Sequence, residues 1–370
     1  MQVAIQRELT AAQSEAWRAF LDKARTSHPE QDLRFADVLR ASGHEVVFAM
    51  GLADGVLVAV GLFALRPHPL LKGRYSDAMA YSGPVCDDFA RLTAFMEALA
   101  AAPEMARVGR IRVTPYWLEQ DGERVMRWFG EKGWACFERD PMRRTGLIDL
   151  GGSDEDILAR FNQTGRRKVR KAEKLGLTVH LAPEPQEAAD FLERLNAHHQ
   201  YRRIPTIPDP VFQAMLRDVL GPGELGSLHI VRHGGHFLAG AIMYRSPTTA
   251  HFMHSVHDDA ELARLDNLRI SPFLLYQTMK WARAKGCATY DIEGYIANPA
   301  PDDPRAHIYR YKSEFSPREV GRVGGHGKVL SPVLHLTGNW REIARTNLRK
   351  LRSRLQRRRA AAPTAAGAGE

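Results

Sequence analysis

The order of apolar and polar positions divides the chain into short strands and helices punctuated by glycine and proline. Ala11 to Ala24 sets Trp17, Phe20 and Leu21 on one helical face, and His28-Pro29-Glu30-Gln31 breaks that helix before a short one ending near Arg40. Val46 to Met50 and Val56 to Leu65 read as strands joined by the hairpin turn Asp54-Gly55. Tyr81 to Val85 reads as a strand start, Arg91 to Ala102 as a helix and Arg110 to Val113 as a strand. Glu123 to Lys132 reads as a helix closed by Gly133. Trp134 to Glu138 and Arg144 to Leu150 are expected to complete a first sheet. Gly151-Gly152-Ser153 then opens a new unit, with Ser153 and Asp156 spaced as a capping box. It continues as a basic helix, a strand at Val179 to Leu181, helices at Gln186 to Gln200 and Val211 to Leu220, and strands at Ser227 to Arg232, Phe237 to Tyr244 and Ala250 to Val256. A long helix, Asn267 to Lys285, ends at Gly286, and a last strand lies near Lys328 to Leu330.

This pattern occurs twice. Asp54-Gly55 and Gly234-Gly235 each precede a strand rich in small residues. Trp128 and Trp281 each lie five residues before a helix-ending glycine, Gly133 or Gly286, and a strand follows each. Two landmarks in the same order imply a duplicated mixed α/β unit. The expected organisation is a first domain at 1–150, a second at 151–335, a basic amphipathic helix at 336–359 and a disordered tail at 360–370.

A length of 370 residues suits two cores, and 44% apolar content fits a soluble globular protein. Nothing approaches 18 consecutive apolar residues and the first ten residues lack an apolar signal region, so neither a transmembrane helix nor a signal peptide is expected. Cys86, Cys136 and Cys287 are few and unclustered, which points to the cytoplasm and away from disulfides. The net charge of +9 suits a polyanionic partner, although nine of the basic residues lie between Arg341 and Arg359, with one acid among them. There Leu348, Leu351 and Leu355 form a narrow apolar stripe, the pattern of a docked terminal helix or a peripheral anchor on the inner membrane face.

Candidate chemistry gathers between Tyr290 and Phe315. Tyr290-Asp291-Ile292-Glu293-Gly294 alternates as a strand and leads out two carboxylates on one face, and Lys312 follows between aromatics. A lysine beside carboxylates is either an electrostatic site or an ion pair bridging strands. Arg166, Arg167, Lys168, Arg170, Lys171 and Lys174 place six positive charges within nine residues, a solvated face or a polyanion site. The pairs His254/His257, His233/His236 and His198/His199 match no metal-ligand spacing, so no metal is expected.

The strand and helix order resembles the GNAT acetyltransferase fold, present twice. Three patches resemble the FemAB family of aminoacyl-tRNA-dependent transferases that extend peptidoglycan stem peptides: His28 to Gln31, Arg166 to Val179, and Tyr290 to Gly294 with Arg310-Tyr311-Lys312-Ser313-Glu314-Phe315. The sequence departs from the family in having Tyr311 before the lysine and Ser316-Pro317 after Phe315. The resemblance implies two tandem GNAT-like α/β domains and acyl transfer to an amine. Lys312 would stabilise charge at the transfer centre, with Asp291 or Glu293 as a base. Tyr295, Tyr311, Phe315, Arg166, Arg167, Arg170 and, by a looser match, Arg203 would bind substrate. It further implies aminoacyl-tRNA as cosubstrate, a phosphorylated or lipid-linked muropeptide-like acceptor, no bound cofactor and a monomer. Acyl-CoA is the alternative donor. The segment Asp258 to Ile270, where a CoA enzyme would carry a glycine-rich pyrophosphate turn, has no glycine and several acids, which disfavours it.

Overall fold

Asp54 and Gly55 have φ of 50° and 79°, the left-handed pair that a two-residue hairpin requires, and Gly234 and Gly235 repeat it at 54° and 83°. Around these two hairpins the computed structural model, which describes residues 1–138, 140, 142–181, 184–221, 223–340 and 343–344, builds two sheets of seven strands. In chain order the strands are β1 (Gln2–Gln6), β2 (Glu45–Ala53), β3 (Val56–Pro67), β4 (Tyr75–Ala80), β5 (Val108–Val113), β6 (Ala135–Cys136) and β7 (Met142–Asp149). They continue as β8 (Thr178–His180), β9 (Gly226–His233), β10 (His236–Arg245), β11 (Thr249–His257), β12 (Thr289–Asp291), β13 (Arg318–Val323) and β14 (His326–Val329).

The first sheet runs β1-β2-β3-β4-β5-β14-β6 and the second, read from β8, runs β8-β9-β10-β11-β12-β7-β13. Position by position they match: an antiparallel meander, one parallel pair (β4 with β5, β11 with β12), then two further strands. The duplication is therefore real at the level of topology, and the architecture is two mixed α/β units in tandem. The matched glycines work as expected, with Gly133 at φ 73° and Gly286 at φ 85° ending their helices before β6 and β12.

One assignment changes. Arg144 to Leu150, expected in the first sheet, lies in β7, which pairs with β12 and β13 of the second. The place it would have taken is filled by β14, which inserts between β5 and β6. The first sheet thus takes its sixth strand from beyond the second sheet's segment, whereas β7 is contiguous in the chain with β8 to β13, so the boundary near Gly151 does not separate two self-contained units. Strand periodicity specifies which face is buried, but β7 with its polar arginines carries nothing that names its neighbour. Sequence reading also misses β1, β4 and β13, while Tyr81 to Val85 is a turn with one bridge to β3.

Among the described residues, three apolar clusters form the core. One lies under each sheet's long helices, around Phe95 and Met96 and around Met279 and Tyr290. The third joins the halves, with Trp17, Phe48 and Leu62 of the first packed on Phe191, Phe212 and Tyr244 of the second. After β14 the chain turns helical over 332–340 and lies across the starts of β4 and β5. Gly338 permits that approach: a Cβ there would stand 2.3 Å from the Ser76 hydroxyl. Among the described residues no helix is long and apolar enough to cross a membrane. The expected basic helix at 336–359 is described only to residue 340 and at 343–344; Leu348, Leu351, Leu355 and the 360–370 tail lie outside the described residues.

Candidate functional site

His251 and Asp291 face each other on the last rung of the parallel pair β11–β12. Paired residues of neighbouring strands share a face, so both side chains enter the space between the two halves. There they meet His28, Glu30, Tyr116, Thr145, Glu293 and Arg322. Pro29 opens a single 3-10 turn whose cap is His28, and the His28 Nδ1 accepts the Glu30 amide at 3.3 Å. Gln31 fixes that turn to the sheet: its Oε1 accepts the Leu62 amide at 2.8 Å and its Nε2 donates to the Tyr81 carbonyl at 2.6 Å. The patch His28 to Gln31 is thus the first domain's wall of the site.

Asp291 is fully buried and accepts three donors: Tyr116 Oη at 2.8 Å, the Thr145 hydroxyl, and the Glu293 amide at 2.7 Å. That last bond turns the chain, and Glu293 sits at φ 56° just past the strand end. The two carboxylates therefore do converge, though by a left-handed turn rather than by strand alternation. The His251 Nδ1 lies 3.9 Å from Asp291 and 3.7 Å from Glu293. Arg322, on β13, places Nη1 3.3 Å from both Glu293 oxygens and Nη2 3.3 Å from the Ser82 hydroxyl, with its guanidinium 5.0 Å from the Tyr116 ring centre.

Burial sets the charges of this network. It raises the Asp291 carboxyl, helped by the neighbouring Glu293, and it raises Glu30. Burial acts the same way on Glu293, but Arg322 and His251 outweigh it and hold that carboxyl down to about 2. Burial, with His251 and Arg322 alongside, keeps the His28 imidazole well below its ordinary value and hence neutral. Two carboxyls two residues apart are thus pushed in opposite directions, a mark of functional sites.

Lys312 ends the helix Ala306–Lys312 and points at the same turn. Its Nζ donates to the carbonyls of Ile292, Glu293 and Gly294 at 2.7, 2.8 and 3.0 Å. All three ammonium protons are engaged, so here Lys312 clamps the strained turn that carries Glu293, and the bridging ion pair does not form. Burial brings its amine down to about 8.

Beside that helix lies a cavity of about 740 Å³, lined by Tyr311 and Arg310, by β11, by the end of the helix Pro185–Arg202, and by the start of the helix Ser271–Ala284. Lys168, Arg202, Arg269 and Arg310 give it four cations against Asp259 and Glu314, and Phe252, Leu275 and Ile308 give it apolar wall. Asp266 and Asn267, at φ 56° and 50°, make the left-handed turn before it without glycine. Pro272, second in the helix, has no N–H to offer a pyrophosphate.

Other expected binding residues fall elsewhere. Phe315 is fully buried and packs edge-on to Phe161 and Tyr311, and Tyr295 is buried in the same core. Arg203 is the exposed left-handed cap of its helix, and its neighbour Arg202 is the one that reaches the cavity. In the basic helix Gln163–Glu173, Arg166 donates to the Ala159 and Phe161 carbonyls, Lys168 pairs with Glu314 and Lys171 with Asp266 at 2.9 Å. The protein itself answers half of that charge run, leaving Arg167, Arg170 and Lys174 outward. Tyr116, His251 and Arg322 escaped sequence reading. An arginine in the apolar run Val320-Gly-Arg-Val323 was the available signal.

His28, His251 and Glu293 also bring ligand atoms within 4.8 Å of one another, a set that no sequence spacing reveals. Arg322 already supplies the fixed cation at Glu293, and the His28 Nδ1 lone pair already takes the Glu30 amide. The donor set is that of a carboxylate–imidazole–guanidinium network.

The Acetyltransferase (GNAT) domain family matches residues 159–313. No curated protein matches the chain in sequence. Among solved structures, FemX superposes with a TM-score of 0.75 at 16% identity, covering 90% of this chain and 99% of FemX. A tandem GNAT protein from the clavulanic acid biosynthesis pathway gives 0.52 at 11% identity, covering 90% of this chain and 99% of its own. A conserved protein of unknown function from Bacteroides thetaiotaomicron gives 0.53 at 10% identity, covering 87% and 100%. The chain has a FemAB-family-like fold, two acetyltransferase-like α/β units in tandem along nearly the whole length of FemX.

Proposed function

We propose that the chain is an N-acyltransferase that moves an activated acyl group from aminoacyl-tRNA to the amine of a phosphorylated or lipid-linked, muropeptide-like acceptor. The observation that carries this reading is the cationic cavity beside Tyr311. Its volume suits a small acyl group with its terminal nucleoside, and its four cations suit phosphodiester oxygens. The helix Ala306–Lys312 adjoins both cavity and buried network, since Arg310 and Tyr311 line the cavity and Lys312 holds the turn of Glu293. Donor and acceptor amine would meet beside that helix.

In the reaction the amine nitrogen bonds to the ester carbonyl carbon, the carbon–oxygen bond to the ribose breaks, and the amine proton ends on the released hydroxyl. Glu293, near 2, is too weak a base to take that proton at neutral pH, whereas an amine near 8 is well matched to it. Lys312 is therefore the better proton carrier, and as an ammonium released from one carbonyl it would stabilise the oxyanion. Asp291 and Glu293 would position it and hold the acceptor.

A second reading, acyl-CoA as donor, draws on the left-handed pair Asp266-Asn267, which shapes the turn a pyrophosphate loop needs. Pro272 in the first helical turn argues against it. The test is to incubate the full chain separately with charged tRNA and with acetyl-CoA, and to follow label into nucleotide-linked and lipid-linked muropeptides. Transfer from tRNA that ribonuclease abolishes is expected. Stoichiometric CoA binding with CoA-dependent transfer would reverse the order of the two donors.

A further inference from the structure

At the end of the first sheet remote from the buried network, large apolar side chains stand in the open. Leu70 and Leu71 are 74% and 44% exposed, and Val333 and Leu336 are 66% and 55% exposed, with Trp340 beside them at 54%. Positions 333, 336 and 340 recur at three and four and so form one stripe of the helical segment 332–340. The opposite face, with Leu334 and Asn339, is already buried on the sheet.

His68 ties the two groups into one surface. Its Nδ1 accepts the Leu70 and Leu71 amides at 3.2 and 3.1 Å, and its Nε2 lies 2.9 Å from the Thr337 hydroxyl on that same stripe. The loop is therefore a built projection, held by a buried histidine against the helix. Around it the charge is positive: Lys72 and Arg74 flank the leucines and are exposed, and the nine basic residues of 341–359 follow Trp340 directly in sequence.

We propose that the loop 67–74 and the exposed face of 332–340 dock this protein on an anionic lipid bilayer. Exposed leucines ringed by lysine and arginine match lipid tails below charged headgroups. RNA phosphates would use the cations but not the aliphatic stripe, and a second copy would set one basic segment against another. The surface adjoins the starts of β4 and β5, whereas Ser82, Thr114 and Tyr116 follow their ends. Strands of six residues rise about 20 Å, so docking leaves the network uncovered and some 20 Å from the lipid.

The experiment is co-sedimentation of the full-length protein with vesicles of phosphatidylcholine alone or with 30% phosphatidylglycerol. Binding is expected only with the anionic lipid and should fall as salt rises. The double variants Leu70→Ser/Leu71→Ser and Val333→Ser/Leu336→Ser should each lower the partition coefficient by at least about tenfold while keeping the wild-type melting temperature. Removing 341–370 should reduce the salt-dependent part and leave the leucine-dependent part. Absence of binding to anionic vesicles at low salt would overturn the proposal. So would serine variants that bind like the wild type, serine variants that lose tRNA binding instead, or a wild type that self-associates through these residues in sedimentation analysis.

Discussion

Replacing Arg322 by methionine removes a fully buried cation facing Asp291, Glu293 and Glu30 while keeping a side chain of similar reach. The magnitude follows from Glu293. Burial pushes its carboxyl up, yet Arg322, the largest of the opposing influences, and His251 hold it down to about 2. Asp291 shifts upward and opposes part of this in the wild type. Removing one partner of a buried ion pair costs about 3–5 kcal/mol, so a loss of that size is expected at pH 7. The sign with pH is definite. In the wild type the Glu293 contribution is fully present above its unfolded value near 4.5 and is lost as pH falls toward 2. In the variant burial acts on Glu293 with less opposition and its folded carboxyl rises above 4.5. The folded state then binds the extra proton, stability rises as pH falls, and the deficit shrinks by up to about 1.4 kcal/mol per pH unit for each such carboxylate. Urea unfolding at pH 7 and pH 5, with Arg322→Lys retaining charge but not the planar fork, measures this. A deficit equal at both pH values would refute the electrostatic reasoning and leave lost packing over Tyr116 as the cause.

Lys312→Ala should lower transferase turnover by about 10²-fold or more, and Lys312→Arg should restore little, because a planar guanidinium does not replace a compact ammonium among three carbonyls. Gln31→Leu should cost about 2–3 kcal/mol by thermal melting, since the Leu62 amide and Tyr81 carbonyl lose their buried partner. Arg310→Ala should weaken tRNA binding and lower the slope of log affinity against log salt by about one, with filter binding as the readout.

Local signals were legible and long-range ones were not. Asp54-Gly55, Gly234-Gly235, Gly133 and Gly286 announce turns and helix ends because positive φ is a property of the residue itself. Asp291 and Glu293 stood out because charge interrupts an apolar strand, and the same rule would have found Arg322. His251 and Tyr116 owe their place to strand register and to contact between the halves. Phe315 and Tyr295 lie in the apolar core, which sequence alone does not separate from a binding role because core packing and substrate contact favour the same aromatics.

The late arrival of β14 in the first sheet has a consequence for biosynthesis. As the chain leaves the ribosome, the first sheet is translated through β6 by residue 136, yet the strand separating β5 from β6 is not made until residue 329. At about 5–20 residues per second the nascent sheet keeps an open edge on β5 for about 10–40 s. An unpaired edge on a central strand invites pairing with other chains. Truncated gene fragments ending before residue 326 are thus expected to be insoluble, and the two halves to require a single uninterrupted translation or a chaperone that shields that edge.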